Sequence, residues 1–147
     1  MEKYITLNNY YINNMKFKDL SITFHTDKIK ECVDFYSKYL KATLIFDADW
    51  YVSIQLENDN STPIYLSFQS CNSDIPAFTG GITLNMKVAD VDACYDELKQ
   101  TGVSFVEKIT DHEWGDRAFS LLDPIGNLVY IYSERELHEK YKDAVKA

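Results

Sequence analysis

Positive charge is what this 147-residue chain has least of: 15 Lys and Arg stand against 23 Asp and Glu, a net charge of −8. Nucleic-acid binding draws on clustered Lys and Arg, and no basic stripe runs through the sequence, so DNA and RNA are excluded as partners. No apolar run approaches the roughly 20 residues that span a bilayer, so no membrane partner is expected. Residues 1–16 are too polar for a signal peptide, and a cytoplasmic location is expected. Cysteines number three, Cys32, Cys71 and Cys94. An odd count without Cys-x-x-Cys spacing does not read as a disulfide framework; it suits reduced thiols in a cytosolic protein. Also missing are a Walker loop, a Gly-x-Gly-x-x-Gly turn, a Gly-x-Ser-x-Gly elbow and any zinc-spaced Cys/His cluster. Of three histidines, only His25 is predicted on a pocket-facing strand surface; His112 falls in a predicted loop and His138 on a predicted C-terminal helix.

Aromatic residues are plentiful by contrast: 11 Tyr, 8 Phe and 2 Trp make up 14% of the chain. Aromatics fill cores, and they also make flat walls for planar ligands. The acidic surplus keeps a protein soluble and, in a groove, attracts cations.

The order of features occurs twice. Ser21-Ile-Thr-Phe-His25 leads into a helix carrying Phe35-Tyr36, and Thr83-Leu-Asn-Met-Lys87 leads into a helix closing at Gly102. An Asp-x-x-Trp follows each, Asp47 to Trp50 and Asp111 to Trp114, and then two more strand-like runs. Period-two alternation predicts strands near 20–25, 43–47, 50–57 and 63–69, and again over 82–89, 103–108, 117–122 and 127–133. Thr26 and Asp27 are placed to cap the first helix and Asp90 the second. The domain organisation that follows is an N-terminal extension (1–17), modules 18–69 and 82–133 joined by a linker (70–81), and a C-terminal helix (134–147). Ser133 and Glu136 make a capping box for that last helix.

The fold class is therefore α+β: two βαβββ modules forming a pseudo-symmetric curved mixed sheet, helices outside, around a shared cavity. In the first strands, Leu20, Ile22 and Phe24, and likewise Leu84, Met86 and Val88, should face the helices. Ser21, Thr23 and His25, and Thr83, Asn85 and Lys87, should face the other way. The last strands divide similarly, with Tyr65, Ser67 and Gln69 in one half and Tyr130 and Tyr132 in the other on the polar side. Such a face is solvated in a flat sheet and lines a pocket in a curled one.

The duplicated modules, Phe35-Tyr36, Glu113-Trp-Gly115 and Asp123-Pro-Ile-Gly-Asn127 together resemble the glyoxalase/bleomycin-resistance/dioxygenase superfamily, over about residues 18–133. The stretch from Glu113 to Tyr132 is most similar to its bleomycin-resistance branch. Enzymes of this superfamily hold a divalent metal with His, Gln or Glu from the first and last strands of the modules. The resemblance puts Ser21, Thr83 and Tyr130 at those positions, with Tyr65 as the counterpart of Tyr130. Neutral hydroxyls are poor ligands near pH 7, so no metal and no cofactor is expected. The resemblance implies a homodimer that binds a small planar or cationic molecule without turning it over. Trp50, Tyr65, Trp114 and Tyr130 would supply stacking surface, and Ser21, Thr23, His25, Gln69, Thr83 and Asn85 polar contacts. The alternative is a glyoxalase-type lyase or isomerase with an atypical site, using a metal held by His25 and Glu113 or metal-free acid–base chemistry at His25.

Overall fold

Alternation in the sequence becomes sheet in both halves of the computed structural model, which describes residues 15–59 and 62–147. Most of the expected N-terminal extension, and residues 60 and 61 of the turn expected before the fourth strand, lie outside the described residues. The first half runs β1 (Ile22–His25), α1 (Ile29–Leu40), β2 (Thr43–Asp47), β3 (Tyr51–Leu56) and β4 (Ile64–Gln69). The second runs β5 (Thr83–Lys87), α2 (Val91–Lys99), β6 (Glu107–His112), β7 (Asp116–Leu122) and β8 (Leu128–Glu134). Each half makes its own four-stranded sheet, in the orders β1-β4-β3-β2 and β5-β8-β7-β6. The first strand of each half lies parallel to the last, and the other pairs are antiparallel. A parallel neighbour needs a long crossover, and the helix lies within it. This is the expected α+β duplication, and neither sheet closes into a barrel.

One face of each sheet is covered. Phe24, Ile54, Leu66 and Phe68 from the first sheet and Leu84, Phe119, Leu121, Val129 and Ile131 from the second are buried, with Cys32 and Tyr36 of α1 and Val91, Tyr95 and Leu98 of α2. They form one contiguous cluster that draws on both halves. Burying a side chain of this size is worth about 1.5–3 kcal/mol. The halves are also tied by polar groups. The Tyr36 hydroxyl donates to Asp123 Oδ2 at 2.6 Å, across 87 residues of chain, in a buried setting. Asp123 in turn accepts from Ile125 N, Asn127 N and Asn127 Nδ2 at 2.7–3.0 Å. The Asp-Pro-Ile-Gly-Asn turn is therefore a clamp between modules. Burial and the Asp123 carboxylate push the Tyr36 phenol well above its ordinary value, so it stays a donor.

Several expectations change in the structure. Leu20 is 86% exposed because β1 begins only at Ile22, and Ser21 lies outside the strand too. Thr26 and Asp27 do not cap α1: Thr26 Oγ1 accepts from Lys28 N, Asp27 accepts from Cys71 N at the start of the linker, and the cap position passes to Lys28. Asp90 caps α2 as expected, accepting from Ala93 N at 3.0 Å. The run expected over 103–108 becomes β6 at Glu107–His112, because Phe105 turns inward against Tyr95 and Phe119. The C-terminal helix expected over 134–147 is a 3₁₀ helix of six residues, Glu139–Ala144, with none of them buried. The capping box fails because β8 continues through Glu134, paired with Asp116 of β7. Ser133 instead bridges to α2, accepting from Val91 N at 3.1 Å and donating to Val88 O at 2.7 Å.

Candidate functional site

The uncovered faces carry the polar residues. On the first sheet the register sets Thr23 beside Ser67 and Ser67 beside Ser53, a row of three hydroxyls across β1, β4 and β3. Ser53 Oγ and Ser67 Oγ are 2.7 Å apart. Hydrogen bonds from Ser67, Ser53 and Thr23 hold the Tyr51 phenol below its ordinary value. His25 lies beside Gln69, Gln69 beside Tyr51, and Tyr65 beside Gln55. Four expected site residues, Thr23, His25, Tyr65 and Gln69, thus share one face, together with Tyr51, Ser53 and Ser67. His25 Nδ1 is buried without a hydrogen-bond partner among the described residues. Trp50 precedes β3 in the tight turn from β2, 59% exposed, its ring 5.8 Å from that of Tyr51.

On the second sheet Asn85 lies beside Tyr130 and Thr83 beside Leu128. With Ser21 set against Thr83, Thr23 answers to Asn85, and the strand pairings make Ser67 the counterpart of Tyr130. Tyr65, expected in that place, answers to Leu128.

The densest constellation centres on His112, expected from the sequence in a loop. His112 ends β6, and its Nδ1 lies 2.7 Å from Asp116 Oδ1 while its Nε2 lies 2.6 Å from Glu107 Oε1. Asp116 Oδ2 accepts from the Tyr130 hydroxyl at 2.8 Å and from the Trp114 indole N–H at 3.1 Å. The indole is stacked on the imidazole, centroids 4.2 Å apart and planes 9° apart. Burial, with the Asp116 carboxylate adding to it, pushes the Tyr130 phenol up to about 12. The sequence signal was available: His112 lies two residues after Thr110, and both pair with polar-face positions of β7 once β6 reaches residue 112. Placing the strand at 103–108 hid it.

Trp114 stands on the β6–β7 turn, and the chain beyond β8 straps that turn down. Arg135 N donates to Gly115 O at 2.8 Å and His138 N to Glu113 O at 2.9 Å, while Lys140 pairs with Glu113. That pairing holds the Glu113 carboxyl below its usual range. Gly115 has φ +100°, and a Cβ there would lie 3.3 Å from Arg135 O. Gly115→Ala is expected to cost about 1–3 kcal/mol from the left-handed backbone and this close approach. Thermal melts read the loss, and the near-ultraviolet dichroism of the indole should fall with it.

Two of the best-formed clefts among the described residues contain none of the ten expected site residues. One, of about 480 Å³, runs between α1 and the β2–β3 edge, with Asp27, Asp34, Asp47 and Asp49 around Ile29, Val33, Leu44 and Val52. The other, of about 450 Å³, lies between the β6–β7 turn and the C-terminal strap, lined by His112, Glu113, Leu137 and His138 among others. Among the described residues the polar sheet faces are graded: Thr83 and Asn85 are exposed, Thr23, His25, Tyr65, Gln69 and Tyr130 are half-buried, and Ser67, Asp116, Ala118 and Ser120 are buried.

A divalent metal does not fit the positions where the resemblance would put one. Ser21 is exposed outside β1, Thr83 offers a neutral hydroxyl, and the Tyr130 hydroxyl donates its proton to Asp116. Among the described residues no group of three or more His, Cys, Asp or Glu is placed to share a metal ion. Cys32, Cys71 and Cys94 are all unpaired, and burial pushes the Cys32 thiol up to about 12.

Comparison with known proteins agrees with the duplicated architecture. A bleomycin resistance protein found in Geobacillus stearothermophilus and Staphylococcus aureus is 24% identical over 120 residues, 72% of this chain and 89% of that protein. An uncharacterized Mycobacterium tuberculosis protein is 31% identical over 68 residues, 38% of this chain, and the match spans only 40% of its length. Among solved structures, a glyoxalase/bleomycin resistance protein/dioxygenase from Nocardioides shares the fold at a TM-score of 0.68 and 17% identity, over 89% of this chain and 94% of that one. TnmS3, an antibiotic binding protein from Streptomyces sp. CB03234, does so at a TM-score of 0.62 and 19% identity, over 82% of this chain and 99% of that one. The family model for the Glyoxalase/Bleomycin resistance protein/Dioxygenase superfamily matches residues 20–131, and the chain belongs to that superfamily.

Proposed function

We infer that the protein binds a small planar or cationic molecule, of the kind sequestered in antibiotic resistance, and holds it without turning it over. The observation that carries this reading is Trp114. One face of its indole rests on His112 while the residue remains 54% exposed, a preformed stacking surface beside the Asp116 and Glu107 carboxylates. The names of the bleomycin resistance and antibiotic binding relatives support it, as does the net charge of −8, which raises the local concentration of cations. Ser21, Thr23, His25, Gln69, Thr83 and Asn85 would orient the ligand by hydrogen bonds, and Trp50, Tyr65 and Tyr130 would add aromatic wall. Among the described residues Thr83, Asn85, Trp50 and Trp114 stay exposed, so a second copy is the proposed cover and the working unit a homodimer. Three unpaired cysteines suit a reducing, cytoplasmic setting.

Titration with ethidium, a planar cation, tests the reading. Binding should quench tryptophan emission, and Trp114→Ala should weaken it by about 0.5–1.5 kcal/mol. Zinc, nickel or manganese salts should leave the melting temperature unchanged, whereas a ligand present at 100-fold its dissociation constant adds about 2.7 kcal/mol. A metal-induced rise in melting temperature that disappears in His25→Ala would overturn the reading in favour of a metal-dependent enzyme. Light scattering that gives the monomer mass at micromolar concentration would remove the dimer.

A further inference from the structure

The polar cluster on the second sheet grips Trp114 by one face and by its polar edge. The face rests on the His112 ring, and the edge donates to Asp116. The imidazole cannot turn freely either, because one ring nitrogen faces Glu107 and the other Asp116, at 2.6 and 2.7 Å. Rotating the ring breaks both contacts. Asp116 holds both aromatic groups at once, with Oδ1 toward the imidazole and Oδ2 toward the indole, and Tyr130 braces it with its hydroxyl. The His112 side chain is 9% exposed. The backbone beneath Trp114 is set separately, by Gly115 and the strap from Arg135 and His138. Fixing the backbone leaves χ1 and χ2 of an exposed tryptophan open, and the His112 face and the Asp116 carboxylate together close them.

We propose that His112 is a positioning residue: clamped between Glu107 and Asp116, it holds the Trp114 indole in one orientation, so that a planar ligand completes a three-layer stack of imidazole, indole and ligand. The proposal rests on the small-molecule-binding reading for its ligand but not for the state of the free protein. A side chain ordered before binding does not have to be ordered by the ligand, and affinity gains accordingly. Losing one aromatic layer and the order it imposes should weaken binding roughly two- to tenfold.

The chain has only two tryptophans, so Trp50→Phe leaves Trp114 as the sole indole reporter. In that background His112→Ala should lower the fluorescence anisotropy of Trp114 in the free protein and weaken ethidium binding roughly two- to tenfold. His112→Phe keeps a ring under the indole but no contacts to Glu107 or Asp116, and should recover part of both losses. Glu107→Ala changes a half-exposed side chain, releases one of the two clamps, and should lower the anisotropy in the same direction even where His112→Ala proves too unstable to study. Anisotropy unchanged in Glu107→Ala and in any folded His112→Ala protein overturns the proposal. If anisotropy falls as expected while Trp114→Ala leaves ethidium binding intact, the positioning role stands and the binding function at this surface is what fails.

Discussion

Asp123→Ala is expected to lower the stability of the protein by about 3–5 kcal/mol, a large share of the 5–15 kcal/mol typical of a domain. The carboxylate is 4% exposed and accepts four hydrogen bonds, from Tyr36, Ile125 N, Asn127 N and Asn127 Nδ2. Alanine removes the acceptor from all four at once, and each orphaned buried donor costs about 1–3 kcal/mol unless water reaches it. The substitution also cuts a polar tie between the modules. Tyr36→Phe removes one bond and leaves the turn intact, so it should cost less, about 1.5–3 kcal/mol for a bond to a charged group. Urea unfolding of both variants and of the double mutant reads the coupling, which should exceed 0.5 kcal/mol for groups in direct contact. A midpoint in Asp123→Ala equal to that of the parent would show that the clamp does not hold the fold.

Phe119→Ala should cost a similar amount, about 3–5 kcal/mol, by a different route. The ring is fully buried in the middle of β7, with Tyr95 at 5.3 Å and Phe105 edge-on at 5.7 Å. Its removal opens a cavity where α2 meets the sheet, and Tyr95 and Phe105, themselves in tilted ring contact at 4.7 Å, relax poorly into it. Leu122, at the end of the same strand and 55% exposed, is the control, and Leu122→Ala should stay within about 0.5 kcal/mol. The same denaturation curves check both, and equal effects would mean that the covered face has been misassigned. The consequence reaches the polar side of β7 as well, since Asp116 and Ser120 occupy the alternate positions of the strand that carries Phe119.

Much of this arrangement was legible in the chain. The β-α-β-β-β order repeats in sequence because each module repeats in space, and period-two alternation at Thr23, Gln69, Asn85 and Tyr130 places those residues on the polar faces. The rest depended on partners that local pattern does not name. Ser133 and Glu136 are as good a capping box as any, but pairing of β8 with β7 outcompetes a helix there, and Ser133 serves α2, more than 40 residues upstream. Ser67 could not be matched to Tyr130 without the parallel register of β1 on β4 and of β5 on β8. His112 was missed because its meaning lies in three side chains at separations of 5, 4 and 18 residues, which meet only when the β6–β7 hairpin and β8 bring them side by side.

The outermost strand of the first sheet has a bearing on how the protein behaves in concentrated solution. Among the described residues β2 has a partner on one side only, and all five of its residues are exposed, Leu44 and Ile45 at 46% and Phe46 at 54%. Its counterpart β6 is edged with Glu107, Lys108 and Asp111. Unpaired backbone groups beside apolar side chains form a template on which a neighbouring strand can grow, and natural edges are blunted by charge and by bulges. Here the blunting consists of an irregularity between Leu44 and Phe46 and the flanking charges Lys41, Asp47 and Asp49. Mutual repulsion between molecules of net charge −8 completes it, and salt screens that repulsion over about 10 Å at 0.1 M. The apolar edge at β2 thus bears on colloidal behaviour rather than on the core, and the protein should keep best at low ionic strength and well above its isoelectric point of about 4.8.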